Sequence, residues 1–539
     1  MTSVPLDPAR EQERLSRSAA GGHNPWLIAA VVSIATFMEV LDVTIVNVSL
    51  QHVAGSLGTS YDEATWIATS YLVANAIVLP LSGWLATVIG RKRFYMIAVA
   101  VFTLSSLLCG IAWSLDSLIL FRVMQGLGGG GLAPSEQSIL ADTFPPEKRG
   151  QAFALYGLAV VVAPAVGPTL GGYITDNASW HWIFFINLPM GILSLLLVSV
   201  LVSEPSTSEK ERRELFAAGF KIDYIGFLLV ALSLGCLEIV LDQGQRDDWF
   251  HSAFITWFAA VSALSFALLI PWELSCKHPI VELRLIGQRQ FGICFFIMLL
   301  FGGIIVSTTQ LIPQITQTLF GYSATLAGLS LSYGGAVLLL IMPLAGLTTS
   351  WAQPRWLLLF GLIVTGLAMR NITNLTPEAD FAWFAWARVY LSFGLPFVFL
   401  AITTASYDGL EPRLSNQASG LINVARNLGG SIFVAMTQTA IQQREQFHGS
   451  RLVHDITLAS PQYQEALRSV TQYFADKGSP AAEASRQAIG WIGQTLDQQA
   501  QLLSYIDTFW LLSMICFAAI PIVLFLRNVK LGAGAAAHH

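Results

Sequence analysis

Charge is what this chain lacks. Asp, Glu, Lys and Arg make up only 12% of its 539 residues, about half the ~25% of a soluble domain, too little polar surface to keep so large a globule in water. The five cysteines (109, 236, 276, 294 and 516) lie in apolar runs or at their edges without metal-ligand spacing. They are expected to pack rather than to form a disulfide framework or a metal site. No histidine falls mid-run, His181 only opening one, so carboxylates are the plausible proton carriers inside. GLGGGG at 126–131 has no Lys-Ser/Thr after it and sits within an apolar block, not after a strand, so it is not a phosphate loop. Catalytic triads and a soluble domain are missing as well. The pattern thus disfavours an enzyme, a receptor or a pump carrying its own ATP site, and it implies no cofactor, metal or nucleic-acid partner.

What is present is apolar: 54% hydrophobic residues and a mean hydropathy of +0.59. They gather in blocks of about 20, the length that crosses ~30 Å of hydrocarbon at 1.5 Å per residue. Blocks near 26–50, 64–86, 94–114, 117–140, 152–175, 181–202, 224–243, 252–274, 291–316, 325–347, 355–372, 380–406, 415–443 and 504–527 predict an all-α membrane protein with fourteen spans in contact with membrane lipid. An even count puts both termini on one side. With a cytosolic N-terminus, inner segments, counted with Arg355 and Arg527 at the span edges, hold 19 of the 29 Lys and Arg, outer segments 6 and spans 4, as the positive-inside bias requires. Both termini are therefore expected in the cytoplasm, with 1–25 a tail rather than a signal peptide.

A shift of 266 residues superposes spans one to five on spans nine to thirteen. It pairs Arg122 with Arg388, Gly128 with Gly394, Asp142 with Asp408, Pro146 with Pro412 and Gln151 with Gln417. The expected domains are two parallel six-helix halves, 26–202 and 291–527. Between them lie cytosolic linkers (203–223, 275–290) and an inserted helix pair (224–274). The second half carries an outer insertion, 444–503, and ends in a cytosolic tail, 528–539. Within the insertion, Ser479-Pro480 followed by Ile489, Ile492, Leu496 and Leu503 predicts an amphipathic helix leading into the last span.

Glu39 and Asp42 sit near the middle of the first block, where an ionisable group costs about 2.5–3.5 kcal/mol on insertion scales. Three residues apart, they share one helix face. Arg122 in span four is the counter-charge, because a guanidinium does not deprotonate. Glu136, nearer the inner face, extends the same polar route. Fixed structural ion pairing is the alternative reading for these four. Under the 266 shift Glu39 falls on Ile305 and Asp42 on Thr308, so the acids belong to the first half. The second half contributes Arg388 and Arg426. Met124, Gln125, Gln310, Gln314 and Tyr333 are candidates for lining a cavity between the halves, or for ordinary helix contacts.

LDVTIVNV (41–48), RVMQGLGGGG (122–131) and APAVGPTLGG (163–172), with WIFFINLPMG (182–191) and LDQGQRDDWF (241–250), resemble the fourteen-span drug:proton antiporters of the major facilitator superfamily, specifically the EmrB-type pumps. The resemblance runs over nearly the full chain. It implies the major facilitator fold and proton-driven multidrug efflux of lipophilic compounds across a bacterial inner membrane. Export of one metabolite or siderophore is the alternative within the superfamily. It also implies a periplasmic adaptor and an outer-membrane channel as partners. Asp42 and Arg122 fall on the proton-coupling positions. Pro164, Gly167, Pro168, Gly171 and Gly172 match the antiporter motif, with Ala163 where glycine is usual. GWLATVIGRKR (83–93) matches the inner-gate loop at Gly83, Gly90 and the basic run Arg91, Lys92, Arg93, but Thr87 stands where an aspartate is expected. The cycle so implied places Asp42 in a water-reachable vestibule shared with cargo.

Overall fold

A computed structural model of the chain describes residues 23–204, 212–213, 223–276, 279–411, 414–454 and 460–529. The expected tail 1–25, linker 203–223 and tail 528–539 lie largely outside them. No strand occurs among the described residues.

The apolar blocks all fall on helices. The first half contains α1 (Pro25–Leu57), α2 (Tyr61–Ile89), α3 (Arg91–Gly110), α4 (Leu115–Gly129), α5 (Leu132–Thr143), α6 (Pro146–Asn177), α7 (Trp182–Phe185) and α8 (Asn187–Leu201). The inserted pair is α9 (Tyr224–Gln243) and α10 (Ala253–Ser275). The second half follows as α11 (Arg284–Gly287), α12 (Arg289–Thr318), α13 (Ala324–Thr348), α14 (Pro354–Ile372), α15 (Phe381–Ser406), α16 (Ser415–His454), α17 (Pro461–Asp476) and α18 (Ala481–Val523). Local signals set the starts. Asn24 accepts a bond from the Trp26 amide ahead of Pro25, and Ser60 forms a capping box with Glu63, satisfying amides that have no partner in the first turn.

Eleven helices among the described residues are long and apolar enough to cross a membrane, and α6, bent by 43° near Pro164, makes a twelfth. The other two blocks depart from a plain span. Block 117–140 is two helices, α4 and α5, broken at Gly130–Gly131. Block 415–443 is the front of α16, which carries Asn423, Arg426 and Asn427 into the protein interior and runs on to His454. The last helix begins at Ala481 rather than near 504, so the predicted amphipathic helix is continuous with the final span. Apolar blocks mark where lipid is; the backbone ladder closes within the helix and continues past it.

α6 is the seam helix, packed against α1 on one side and α13 on the other, while α2 packs against α16. Small residues permit this approach. A Cβ on Gly167 would collide with Thr44 of α1, one on Gly171 would come within 3.2 Å of Ile45, and one on Gly328 of α13 would lie 2.8 Å from the Thr169 amide of α6. The glycine run of α4 works likewise: a Cβ on Gly128 would lie 2.6 Å from the amide nitrogen of Phe102, so α4 sits backbone to backbone on α3. The inserted α9 leans on α2 and, more lightly, on α16.

Candidate functional site

Along α1, Ser33, Thr36, Glu39 and Asp42 recur every three residues, so one face of a buried helix carries polar groups up the bundle. Asp42 is fully buried and Arg122 is 1% exposed. Arg122 Nη1 donates to Asp42 Oδ2 at 2.6 Å, and the other oxygen, Oδ1, accepts from Gln125 Nε2 at 3.0 Å and from Asn187 Nδ2 at 2.7 Å. The arginine also donates to Gln125 Oε1 (2.8 Å) and the Ile67 carbonyl (3.1 Å), and its head lies 4.3 Å from the Tyr71 ring centroid. Asn187 donates onward to Ser106 (3.0 Å), whose hydroxyl donates to the Phe184 carbonyl (2.9 Å). Helices α1, α2, α3, α4 and α8 are thereby tied to one ion pair. The apolar matrix makes such a pair strong once formed and costly to break.

In this conformation Asp42 faces no vestibule. Asn187 and Arg122 cover its two oxygens, and the side chain is fully buried. Gln125, a candidate for cavity lining, is part of this clamp and fully buried.

Glu39 of α1 and Glu136 of α5 both lie along this polar face of α1, towards the 83–93 end. Glu39 Oε1 accepts from Tyr71 and Asn75 of α2, both at 3.2 Å, and Glu136 Oε1 accepts from Ser33 at 2.6 Å. The second oxygen of each is buried without a partner. Across the seam, Asn427 of α16 donates to Asn75 at 3.2 Å, and Arg426 donates to the Tyr156 hydroxyl at 2.7 Å. Tyr156 donates to Asn423, and Asn423 and Ser419 donate to Gln137 Oε1 at 2.9 and 3.1 Å. The guanidinium of Arg426 is the cation acting electrostatically on both carboxylates. Two acids of one half therefore lie in the electrostatic field of an arginine of the other.

At the 83–93 end, Arg91 is 1% exposed and paired with Asp142 of α5. Glu204 accepts from the backbone amides of Arg91 (2.7 Å) and Lys92 (3.2 Å), and Lys92 donates to the Ser199 carbonyl (2.8 Å). Arg93 is exposed. Thr87, standing where an acid was expected, bonds its own helix and accepts from Asn416 of α16 at 3.4 Å. Gly83 lies so close to α16 that a Cβ would sit 2.8 Å from the Asn416 carbonyl. Gly90 adopts φ +100, a value at which L side chains are strained. Of the antiporter motif, Ala163, Gly167, Pro168, Gly171 and Gly172 are buried and Pro164 is half-buried.

The remaining candidates do not converge. Met124 (36%) and Tyr333 (49%) are exposed, as is Gln310. Gln314 bonds Gln438 of α16. A cavity of about 390 Å³ lies elsewhere, between the outer ends of α9 and α16, lined by Leu241, Trp249, Ile432, Met436, Thr439 and Gln443. Sequence reasoning missed Asn187, Tyr71, Asn75, Tyr156 and Asn423. For the three asparagines the available signal was an amide side chain in an otherwise apolar run, which lipid does not tolerate unpaired. It also missed Glu238 and Asp242 of α9, which accept hydroxyl bonds from Ser431 of α16 (2.6 Å) and from Thr69 of α2.

Two repeated bundles meeting along α6–α13 and α2–α16 define a transporter of the major facilitator type. The Major Facilitator Superfamily model matches residues 32–434. The solved proton:xylose symporter XylE has the same fold, with TM-score 0.60 and 14% identity over 94% of this chain and 97% of that one. Among curated proteins, the multidrug export protein EmrB of Escherichia coli K12 is 36% identical over 514 residues, 94% of this chain and 96% of the relative. The probable multidrug resistance protein EmrY of the same organism is 38% identical over 461 residues, covering 84% and 87%. The fatty acid resistance protein FarB of Neisseria gonorrhoeae is 34% identical over 492 residues, covering 91% and 94%. The chain belongs to the major facilitator superfamily and, within it, to the family of the EmrB export proteins.

Proposed function

We propose that the chain is a proton-coupled exporter of lipophilic compounds, the inner-membrane part of a three-component efflux pump. The observation that carries the coupling is the buried Asp42–Arg122 pair with its Gln125 and Asn187 clamps. Ionised, Asp42 draws α1, α4 and α8 together through one carboxylate. Protonated, it loses the charge that holds Arg122, and the packing of the first half changes. Glu39 and Glu136 face the second half near Arg426, where a proton or a cargo molecule alters what the two halves gain by staying closed. No cofactor is needed: the membrane potential contributes ~2.3 kcal/mol per charge per 100 mV.

Names of relatives such as multidrug export protein support several lipophilic substrates rather than one metabolite. The excess of Lys and Arg on the 83–93 side supports cytoplasmic termini. The helices of 444–503, at the opposite end, are the surface offered to a periplasmic adaptor leading to an outer-membrane channel. The test is Asp42→Asn in reconstituted vesicles, where the pH gradient should no longer drive dye efflux although the protein inserts normally. Efflux at the unmutated rate would remove Asp42 from the coupling.

A further inference from the structure

The second half repeats the buried arginine of the first without its acid. Arg388 of α15 reaches Thr308 of α12 just as Arg122 reaches Asp42, the correspondence given by the 266 shift. The surroundings differ in charge. Arg388 is fully buried. Its Nη1 donates to Thr308 Oγ1 at 3.3 Å and its Nη2 to Thr309 Oγ1 at 3.2 Å, while its Nε is buried without a partner. Among the described residues no carboxylate pairs with it.

Both hydroxyls already donate to carbonyls of their own helix, Thr308 to Ile304 at 2.8 Å and Thr309 to Ile305 at 2.7 Å. They offer the guanidinium lone pairs but no negative charge. A buried, uncompensated ion costs several kcal/mol, and two long hydroxyl bonds do not repay it. The group is nonetheless held in place. A Cβ on Gly334 of α13 would collide with Arg388 Cγ, so the arginine stem lies directly on that helix. Three helices thus fix a planar fork of donors whose natural complement is a carboxylate. Thr309, which accepts from Nη2, is itself only half-buried.

We propose that Arg388, with Thr308 and Thr309, binds the carboxylate of an amphipathic organic anion, which takes in the second half the place Asp42 holds in the first. The proposal rests on the export reading only in calling that anion cargo.

The test uses the full chain in lipid nanodiscs with octanoate as probe, octanamide as its neutral match and tetraphenylphosphonium as a lipophilic cation. Octanoate should bind more tightly than octanamide. Arg388→Gln should weaken octanoate by roughly ten- to a hundred-fold, the scale of a charge-assisted hydrogen bond, and leave the other two ligands unchanged. Thr308→Asp gives Arg388 an internal acid; it should keep or raise the melting temperature and abolish octanoate binding, which separates loss of the site from loss of the fold. Equal binding of octanoate and octanamide, or octanoate binding to Thr308→Asp at full strength, would overturn the proposal. So would a chloride ion that occupies the Arg388 site and that octanoate does not displace. No proton gradient is imposed, so this result and that of the Asp42→Asn efflux assay stand or fall separately.

Discussion

Replacing Asp42 by Asn leaves Arg122 almost without access to water and without its counter-ion. Removing one member of a buried pair costs about 3–5 kcal/mol. Part of that returns, because the Asn oxygen still accepts one bond and the Tyr71 face, 4.3 Å away, offsets about 0.5–2 kcal/mol. Part is added, because Oδ1 now accepts from Gln125 and Asn187, and an amide cannot satisfy both of them and the arginine. A net loss of about 3 kcal/mol is expected for Asp42→Asn, and a similar one for Arg122→Gln. The double variant restores a neutral, hydrogen-bonded amide pair, so its cost should fall short of the sum by about 2 kcal/mol or more. Thermal unfolding of the four purified proteins measures this as melting temperatures, the double variant lying well above the additive expectation. Additive costs within about 0.5 kcal/mol would show that the two side chains do not act as a pair, and the tie between α1 and α4 would be lost with it.

Arg91→Ala orphans Asp142 at the 83–93 end and should lower stability by about 3–5 kcal/mol; Arg91→Ala with Asp142→Ala should recover much of that in the same melting assay. Gly167→Ala, which drives a methyl into Thr44, should cost about 1–3 kcal/mol. Gly55→Ala, which meets nothing within 4 Å, should be neutral or stabilising by about 0.5–1 kcal/mol, so equal shifts would refute the close-packing account. Tyr156→Phe removes the hydroxyl between Arg426 and Asn423 and should destabilise by about 1–3 kcal/mol; an unchanged melting temperature would show that link to be dispensable.

Much of the fold was legible because lipid imposes a simple rule on sequence. Apolar length gave the helices, and the shared phase of the two halves gave their correspondence, with α15 beginning at Phe381, where the 266 shift of Leu115 lands. The pairing of Asp42 with Arg122 was legible for the same reason, since two charges in hydrocarbon must find each other. The clamps were not. Asn187 and Gln125 are separated from Asp42 by 145 and 83 residues, and nothing local says which amide of an apolar run turns inward. Arg91 read only as one of three bases in the inner-gate loop, yet it is buried against Asp142 while Arg93 stays exposed. The broken fourth block was hidden because four consecutive glycines read equally well as a packing face.

By itself the sequence determined that the chain lives in a bilayer, that it is built of helices in two related halves, and that the acids of the repeated spans belong to the first. Those properties follow from hydrophobic length and from the cost of a charge in hydrocarbon, both additive along the chain. Tertiary structure alone decided which oxygen accepts from which donor, that Asp42 is sealed in this conformation, and that Arg388 ends among hydroxyls rather than acids. Each of these depends on helices distant in sequence meeting within a hydrogen bond's length, a distance set by how glycine and threonine faces interlock.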